Sequence, residues 1–232
     1  MKSGQCIILH QDAKGISLVD TSSLRNRLKN APVVPLVQAD NPETAIKIAN
    51  ALVAGGLTVI EVVLRTSTAL ECLKEVAASV PGAIVGAGTV LNVQQAQASI
   101  DAGAQFIVCP GLHVPVVEAA QSADLPIIPG VATASELQQA WNLGLRLLKF
   151  FPASLAGGPS MIKALGSAFR DVEFMPTGGV SAANLTDYLA LANVIACGGS
   201  WLTPTSAVIA GDFATITRLA AEAVAIAKSV EV

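Results

Sequence analysis

The chain has 232 residues, of which 52% are hydrophobic and 13% are charged, and its net charge is -3 at pH 7. Soluble domains carry about 25% charged residues, so this chain must bury much of its surface, and we expect a homo-oligomer to cover the remaining apolar part. The small negative charge and the lack of a basic tract exclude nucleic acid and anionic membrane surfaces as natural partners, which favours a small-molecule ligand.

Short β-rich runs alternate with amphipathic segments along the chain, and eight of each can be counted. The pattern predicts strands over residues 33–37, 58–64, 84–90, 106–110, 125–129, 145–151, 173–177 and 194–197. It predicts helices over residues 42–54, 68–79, 93–102, 114–123, 134–142, 160–168, 182–191 and 212–228. An extra helix over residues 22–29 precedes the first strand.

The predicted helix ends carry suitable residues. Asn41 can cap the free amides of the first main helix, and Pro42 fits its first turn. The doublet Gly55-Gly56, Gly103 and Gly144 follow three helices, where glycine supplies a left-handed conformation. These boundaries support the count of elements.

The predicted strands are nearly continuous apolar runs, which is typical of a parallel sheet covered by helices. Eight βα units without a break in composition predict one domain over residues 1–232, a single (β/α)8 TIM barrel with an extra N-terminal helix. An open doubly wound sheet has the same alternation and is the alternative. Residues 1–21 form an N-terminal extension to which we assign no role.

Lys149 is the one charge in the apolar run from Leu147 to Phe151, and its flanks carry no carboxylate. Burial disfavours the charged form of an amine and frees its lone pair, as a Schiff-base nucleophile requires. A strand-end lysine whose ammonium group reaches water is the alternative. The other lysines lie in helical segments or near the termini, so Lys149 is the candidate nucleophile.

Glu61 is the other charge inside a predicted strand, and it would meet Lys149 if both side chains pointed into the barrel. A buried carboxyl group can transfer protons near neutral pH and could serve a Schiff base. A structural ion pair is the alternative. A buried ion pair contributes little net stability, which favours the functional interpretation.

Glycine doublets follow the last two predicted strands, Gly178-Gly179 and Gly198-Gly199, and Ser200 comes next. Loops after strands seven and eight of a TIM barrel frequently bind phosphate, because glycine lets backbone amides approach the oxygens and a following helix start adds a favourable dipole. Packing in a βα turn is the alternative. We expect a phosphate-bearing substrate.

Arg65 and Thr89, at the ends of predicted strands two and three, could hold a second anion such as a carboxylate. A solvated Arg65 is the alternative. Phe151 lies two residues after Lys149, so it shares that side of the strand and could keep the amine dry. It could equally be an ordinary core residue.

Metal catalysis finds little support, because His10 and His113 are the only histidines and neither lies in a ligand-spaced cluster. We predict no metal and no cofactor. The four cysteines are scattered without a C-x-x-C pair, and no secretion signal or apolar stretch of about 18 residues is present. We therefore expect a cytoplasmic protein with reduced thiols.

Several segments taken together resemble the KDPG/KHG aldolase family, class I enzymes that act on 2-dehydro-3-deoxy-6-phosphogluconate (KDPG) and 4-hydroxy-2-oxoglutarate (KHG). The resemblance runs from about Pro32 to the C-terminal helix. It rests on Gly55-Gly56, Glu61-Val62-Val63-Leu64-Arg65-Thr66, Gly86-Ala87-Gly88-Thr89-Val90-Leu91, Cys109-Pro110-Gly111, Lys149-Phe150-Phe151-Pro152-Ala153, Pro176-Thr177-Gly178-Gly179 and Gly198-Gly199-Ser200-Trp201-Leu202.

The resemblance implies a role for each matching residue. Lys149 would form the Schiff base, and Glu61 would be the general acid and base. The implied substrate-binding residues are Arg65 and Thr89 for the carboxylate, Gly178, Gly179, Gly199 and Ser200 for the phosphate, and Pro110, Phe151 and Thr177 within the same motifs. The family is typically trimeric and needs no metal. One departure is Cys109, where the family commonly has serine.

The implied reaction is cleavage of KDPG to pyruvate and glyceraldehyde 3-phosphate, in the Entner-Doudoroff pathway, with cleavage of KHG to pyruvate and glyoxylate as a further activity. The alternatives are a 2-dehydro-3-deoxy-6-phosphogalactonate aldolase, a metal-dependent phosphosugar epimerase or isomerase on the same barrel, and a non-catalytic phosphosugar-binding protein. The shortage of histidines argues against the metal-dependent enzyme.

Overall fold

The protein alternates short parallel strands with helices throughout the part of the chain that its structure, a computed structural model, describes, residues 22–230. The predicted N-terminal extension, with Cys6 and His10, lies outside the described residues. The strands are β1 (Val33–Val37), β2 (Val59–Val63), β3 (Ile84–Gly88), β4 (Ile107–Val108), β5 (Ile127–Ile128), β6 (Gly130–Val131), β7 (Leu147–Phe150), β8 (Glu173–Pro176) and β9 (Cys197–Gly199).

The helices begin with α1, which precedes the first strand, and most of the others connect consecutive strands. They are α1 (Ser22–Asn30), α2 (Pro42–Ala54), α3 (Ala69–Ser79), α4 (Val93–Asp101), α5 (Val114–Ser122), α6 (Ala134–Asn142), α7 (Gly158–Ala168), α8 (Leu185–Leu189), α9 (Thr205–Ala210) and α10 (Phe213–Lys228). No helix in the described residues is long and apolar enough to cross a membrane.

The strands form a curled parallel sheet in two hydrogen-bonded parts. One part has the order β5-β4-β3-β2-β1-β9, and the other has the order β6-β7-β8. Every strand pair is parallel, and the last strand pairs with the first. This sequential order lacks the reversal of strand order that an open doubly wound sheet has, so that alternative is wrong.

Two apolar layers hold the sheet. Side chains of alternate strand positions, such as Val34, Val59 and Leu147, form a cluster on the inner face of the curled sheet, together with Leu24 and Leu28 of α1. The remaining apolar strand residues pack against the helices in a larger outer cluster. Burial on both faces explains why the strands are nearly continuous apolar runs.

Local chemistry fixes several boundaries as predicted. The Asn41 side chain accepts a hydrogen bond from the Thr44 amide at 2.9 Å, with Pro42 in the first turn of α2. Gly56, Gly103 and Gly144 adopt positive φ angles of 94°, 88° and 79° after their helices. Gly55 is instead right-handed, with a φ of -81°, so the prediction for that doublet holds for its second glycine.

Several predicted elements differ from the structure, among them β4, which covers only two of the five residues predicted. The fifth predicted strand, over 125–129, is shortened to β5, and β6 lies beyond its predicted end, after Pro129, a residue that cannot donate a ladder hydrogen bond. The helix predicted over 182–191 is the five-residue α8, and α9 was not predicted. The strand predicted over 194–197 lies instead at Cys197–Gly199, because the glycines pair with Val34 and Pro35 of β1.

Candidate active site

Two neighbouring charges occupy the inner face of the sheet. Glu61 lies in β2 two residues after Val59, and Lys149 lies in β7 two residues after Leu147, so alternation along each strand directs both toward the inner layer. Lys149 Nζ is 3.5 Å from Glu61 Oε1, and their side chains are 4% and 0% exposed. The structure thus brings the two predicted strand-borne charges into contact.

The Glu61 carboxylate is poorly satisfied for a buried group. Neither of its oxygens has a hydrogen-bond partner among residues 22–230, although Oε1 faces the lysine. A Cβ atom at Gly88, on the adjacent strand β3, would collide with this carboxylate. Glycine at position 88 therefore makes the space that Glu61 occupies, and the unpaired oxygens can accept protons or hydrogen bonds from a ligand.

An aromatic ring and a thiol lie near the lysine amine. The Lys149 ammonium lies 5.4 Å from the centre of the half-buried Phe151 ring. Cys109 is buried beside the pair, and burial raises the pKa of its thiol to about 12, with Lys149 opposing the shift and Glu61 adding to it. The thiol is therefore neutral at physiological pH and supplies no negative charge to the pair.

Arg65 and Thr89 meet at the carboxyl ends of β2 and β3. Arg65 Nε is 3.3 Å from Thr89 Oγ1, and the Arg65 side chain is exposed at the edge of the sheet. Thr89 has a φ of 59°, a left-handed conformation that is unusual for a β-branched residue. Such backbone strain concentrates at functional sites.

Pro110 is half-buried just after the end of β4. Its carbonyl lies so close to Gly130 that a Cβ atom at position 130 would collide with it.

The loop after β8 is a glycine turn at the same end of the sheet. Gly178 and Gly179 have positive φ angles of 94° and 81°. The Asn184 side chain donates a hydrogen bond to the Gly179 carbonyl at 2.9 Å and accepts one from the Ser181 amide at 2.8 Å. These bonds hold the turn, so its shape is fixed without a ligand.

The loop after β9 lies next to that turn. Thr177 pairs with Gly198, and a Cβ atom at Gly198 would collide with the Thr177 side chain, which is buried. Gly199 ends β9, and Ser200 follows with an exposed side chain. The expected helix starts do not follow directly, because α8 and α9 begin at Leu185 and Thr205. The donors that these two loops offer are therefore backbone amides and hydroxyl groups.

A cavity of about 550 Å³ opens over the carboxyl ends of β1, β2 and β9. Of the predicted site residues, Arg65 and Ser200 line this cavity, whereas Lys149 and Glu61 do not. The lining also includes Gln38 and Asp40, which we did not predict. Gln38 follows Leu36 by two residues and so shares its side of the chain. That spacing could have identified Gln38, but the predicted strand ended one residue earlier.

The described residues contain no group of three or more His, Cys, Asp or Glu side chains that could hold a metal ion. His113 precedes α5 in the loop after β4, where it was expected. Cys72, Cys109 and Cys197 are buried free thiols.

Comparison with known proteins relates the chain to one family. A family model described as "KDPG and KHG aldolase" matches residues 24–219. The KHG/KDPG aldolase of Escherichia coli (strain K12) is 49% identical over 207 residues, which cover 89% of this chain and 97% of that protein.

Two solved structures are similar over most of the chain. The 2-keto-3-deoxy-6-phosphogluconate aldolase of Zymomonas mobilis ZM4, crystallised with 3-phosphoglycerate, has a TM-score of 0.84 and 40% identity, covering 92% of this chain and 100% of that one. The KDPG aldolase of Legionella pneumophila, with pyruvate captured as a covalent carbinolamine intermediate, has a TM-score of 0.83 and 38% identity, covering 86% and 97%.

Proposed function

Because the chain belongs to the KDPG and KHG aldolase family, we propose that it is a class I aldolase that cleaves KDPG to pyruvate and glyceraldehyde 3-phosphate. KHG is a further substrate in this proposal, cleaved to pyruvate and glyoxylate. The observation that carries the proposal is the buried contact of 3.5 Å between Lys149 Nζ and Glu61 Oε1, with both Glu61 oxygens lacking a hydrogen-bond partner in the described chain. In this proposal Lys149 is the nucleophile, and Glu61 beside it is the proton acceptor.

In the first step, the neutral Lys149 amine attacks the C2 ketone of the substrate and forms a carbinolamine. Loss of water then gives a protonated imine, which withdraws electrons from the neighbouring carbon-carbon bond. Glu61 accepts the ammonium proton before the attack, because it is the carboxylate in contact with Nζ. It then returns this proton to the carbinolamine hydroxyl, which leaves as water, so that Glu61 is a carboxylate again when the imine has formed. The apolar ring of Phe151 near Nζ helps to exclude bulk water from the imine.

In the second step, Glu61 removes the proton of the C4 hydroxyl through a water molecule, and the C3–C4 bond breaks. Glyceraldehyde 3-phosphate leaves, and the electron pair of the broken bond becomes the enamine. Protonation at C3 and hydrolysis of the imine release pyruvate and restore the lysine. The same carboxyl group thus works first as a base and then as an acid.

Two anion sites hold the substrate ends in this proposal. Arg65 and Thr89, which already contact each other, bind the carboxylate, with Pro110 forming the adjoining wall. The loops at Thr177, Gly178 and Gly179 and at Gly199 and Ser200 bind the phosphate, since both lie at the same edge of the sheet. Binding energy from the phosphate can then align the bond that is cleaved.

The closed (β/α)8 barrel and the single domain belong to the same proposal. Isolated bridges pair Phe174 with Val194 and Thr177 with Gly198, which joins the edge of the β6-β7-β8 part to the β9 region. At the other end, a single residue, Pro129, separates β5 from β6. These links support a closed ring that α1 covers at its amino-terminal end. The homotrimer and the cytoplasmic location are likewise proposed.

The decisive experiment is incubation with pyruvate, reduction with borohydride and peptide mapping by mass spectrometry. We expect a stable adduct on Lys149, and we expect none in Lys149→Arg, because a guanidinium group stays protonated. Lys47→Arg is the matched control and should keep the adduct, because Lys47 pairs with Glu43 on the surface of α2. A wild-type protein without an adduct at Lys149 would contradict the mechanism.

Steady-state cleavage assays then separate the substrates. KDPG, its galactonate epimer and KHG are compared by kcat/KM under the same conditions. A phosphate site predicts that KDPG is favoured over a form without phosphate, and equal values would mean that the glycine loops bind nothing useful. A phosphosugar-binding protein would bind KDPG without cleaving it, and Lys149→Arg would still bind.

A further inference from the structure

The end of β1 lies between the two proposed anion sites. In the sheet, β1 lies between β2 and β9. Arg65 follows the end of β2, and Ser200 follows the end of β9. Neighbouring strands are about 4.8 Å apart, so β2 and β9 are separated by roughly 10 Å. A substrate held at both anion sites must therefore pass its middle carbons in front of the end of β1.

Hydrogen bonds fix the end of β1 in this position from both sides. On the β9 side, Thr203 Oγ1 donates to the Leu36 carbonyl at 2.8 Å. On the β2 side, Thr66 Oγ1 donates to the Ala39 carbonyl at 3.1 Å. These bonds tie the backbone around Gln38 to the loops that carry Ser200 and Arg65. They thereby fix the position from which the Gln38 side chain extends.

Gln38 lies directly after the carboxyl end of β1. Val34 belongs to the inner apolar cluster, and Leu36, two residues further along β1, is paired with Glu61. Gln38 follows Leu36 by two residues, so it lies further toward the carboxyl end of the sheet than Glu61 does. Gln38 lines the cavity together with Arg65 and Ser200, is exposed, and makes no side-chain hydrogen bond to other described residues.

We propose that Gln38 is a specificity-determining residue that hydrogen-bonds the C5 hydroxyl of the substrate, the hydroxyl between the cleaved bond and the phosphate-bearing carbon. This inference rests on the proposed aldolase function. A primary amide offers two donors and an acceptor, so it can meet a hydroxyl group in either role. Being neutral, it neither repels nor competes for the two anionic ends, unlike the nearby Asp40.

The reverse reaction isolates this one hydroxyl. Pyruvate is condensed with glyceraldehyde 3-phosphate or with 3-oxopropyl phosphate, which has the same phosphate but lacks the hydroxyl that becomes the C5 hydroxyl. The preference is the ratio of the two kcat/KM values. We expect Gln38→Met, which keeps the chain length but removes the amide, to lower this preference about three- to tenfold, the effect of one neutral hydrogen bond.

Gln38→Ala is the second variant and should lower the preference to a similar extent, because both substitutions remove the amide. Gln139→Met is the matched control, since Gln139 is an exposed glutamine on α6, and it should keep the wild-type ratio. An unchanged or increased preference in the Gln38 variants would overturn the inference, and so would an equal loss of rate with both aldehydes.

Borohydride trapping of wild-type protein with pyruvate is run in parallel, so that the two proposals fail separately. If no adduct forms on Lys149, the aldolase proposal itself is wrong, and the inference about Gln38 falls with it. If the adduct forms and the preference does not depend on Gln38, the aldolase proposal stands and the role of Gln38 is overturned.

Discussion

At the scale of single residues, the contact between Lys149 and Glu61 is costly to stability and useful for chemistry. Both charges are removed from water, and the carboxylate has no hydrogen bond in the described chain to offset its desolvation. A protein that needed only packing at this point would do as well with two apolar side chains. The catalytic role proposed for the pair would account for this cost.

We predict that Lys149→Met alone destabilises the protein by about 3–5 kcal/mol, because it leaves the buried Glu61 carboxylate without its cation. The double variant Glu61→Met/Lys149→Met should be at least as stable as the wild type, since a buried ion pair replaced by apolar groups is often neutral or stabilising. Urea unfolding at one fixed protein concentration measures both effects.

This comparison needs both variants, because a loss in the single variant could also come from packing. A double variant as unstable as the single one would mean that the cost lies in the shape of the methionine side chain, and the argument from unpaired charge would be wrong. Neither variant is expected to form the pyruvate adduct, since both lack the amine.

Sequence reasoning predicted the contact between Glu61 and Lys149 because both lie inside strands, where alternation decides which way a side chain points. The prediction needed no knowledge of loop conformation. Gln38 was missed because it follows the last regular residue of β1, where the pattern gives way to loop composition. The positive φ of Thr89 was also beyond sequence reasoning, since threonine rarely adopts that conformation.

At the scale of elements, α6 shows how local chemistry defines a helix start. The Thr133 side chain accepts a hydrogen bond from the Glu136 amide, and the Glu136 carboxylate accepts one from the Thr133 amide at 2.9 Å. The same carboxylate accepts a bond from the Ala132 amide at 2.8 Å. These bonds satisfy backbone amides that have no partner within the helix.

The reciprocal hydrogen bonds between Thr133 and Glu136, which form a capping box, predict a pH-dependent contribution to the stability of the protein. Hydrogen bonds from the amides of Ala132 and Thr133 lower the pKa of Glu136 below its ordinary value. A carboxyl group whose pKa is lower in the folded state than in the unfolded state stabilises the folded state. This stabilisation is fully present at a pH above the unfolded-state pKa, and it is lost as the pH falls through the folded-state pKa. We expect Glu136→Gln to cost about 0.5–1 kcal/mol at pH 7.

The cost should begin to shrink as the pH falls below about 4.5, where the carboxyl group of the unfolded chain takes up a proton, and it should disappear below the lowered pKa of the folded state. Urea midpoints of wild type and Glu136→Gln, measured from pH 7 to pH 4, test this. Glu118→Gln, in the adjacent helix α5, is the control and should give no such trend. A difference that is constant with pH would show that the carboxylate charge at Glu136 does not contribute.

The elements that sequence predicted best are those with such local signals. The bounds of α2 and α6, which begin after Asn41 and Thr133, match the predicted ranges, and so does β1. Segments without such signals were predicted less well. Helix α9 has six residues and no side-chain cap, and β4 is only two residues long. The extent of β4 depends on hydrogen bonds to β3 and β5, which a local pattern does not contain.

At the scale of the whole molecule, the low content of charged residues has a visible counterpart on the surface. Among the described residues, Leu155 is 87% exposed in the single chain, and Ile209 is 82% exposed. Ile209 lines the cavity over the strand ends, which gives its exposure a separate reason. Leu155 follows β7 and does not line that cavity, so it is the better candidate for contact with another copy.

We predict that the protein sediments as a homotrimer, with three times the 23.6 kDa mass of the chain. Its urea midpoint should rise with protein concentration, because association stabilises only the folded state. Leu155→Asp should reduce the mass to that of the monomer and remove the concentration dependence, since a carboxylate is costly to bury at an interface. Ile209→Asp should remain trimeric. A monomeric wild type would refute the trimer, whereas a trimeric Leu155→Asp would place the interface elsewhere.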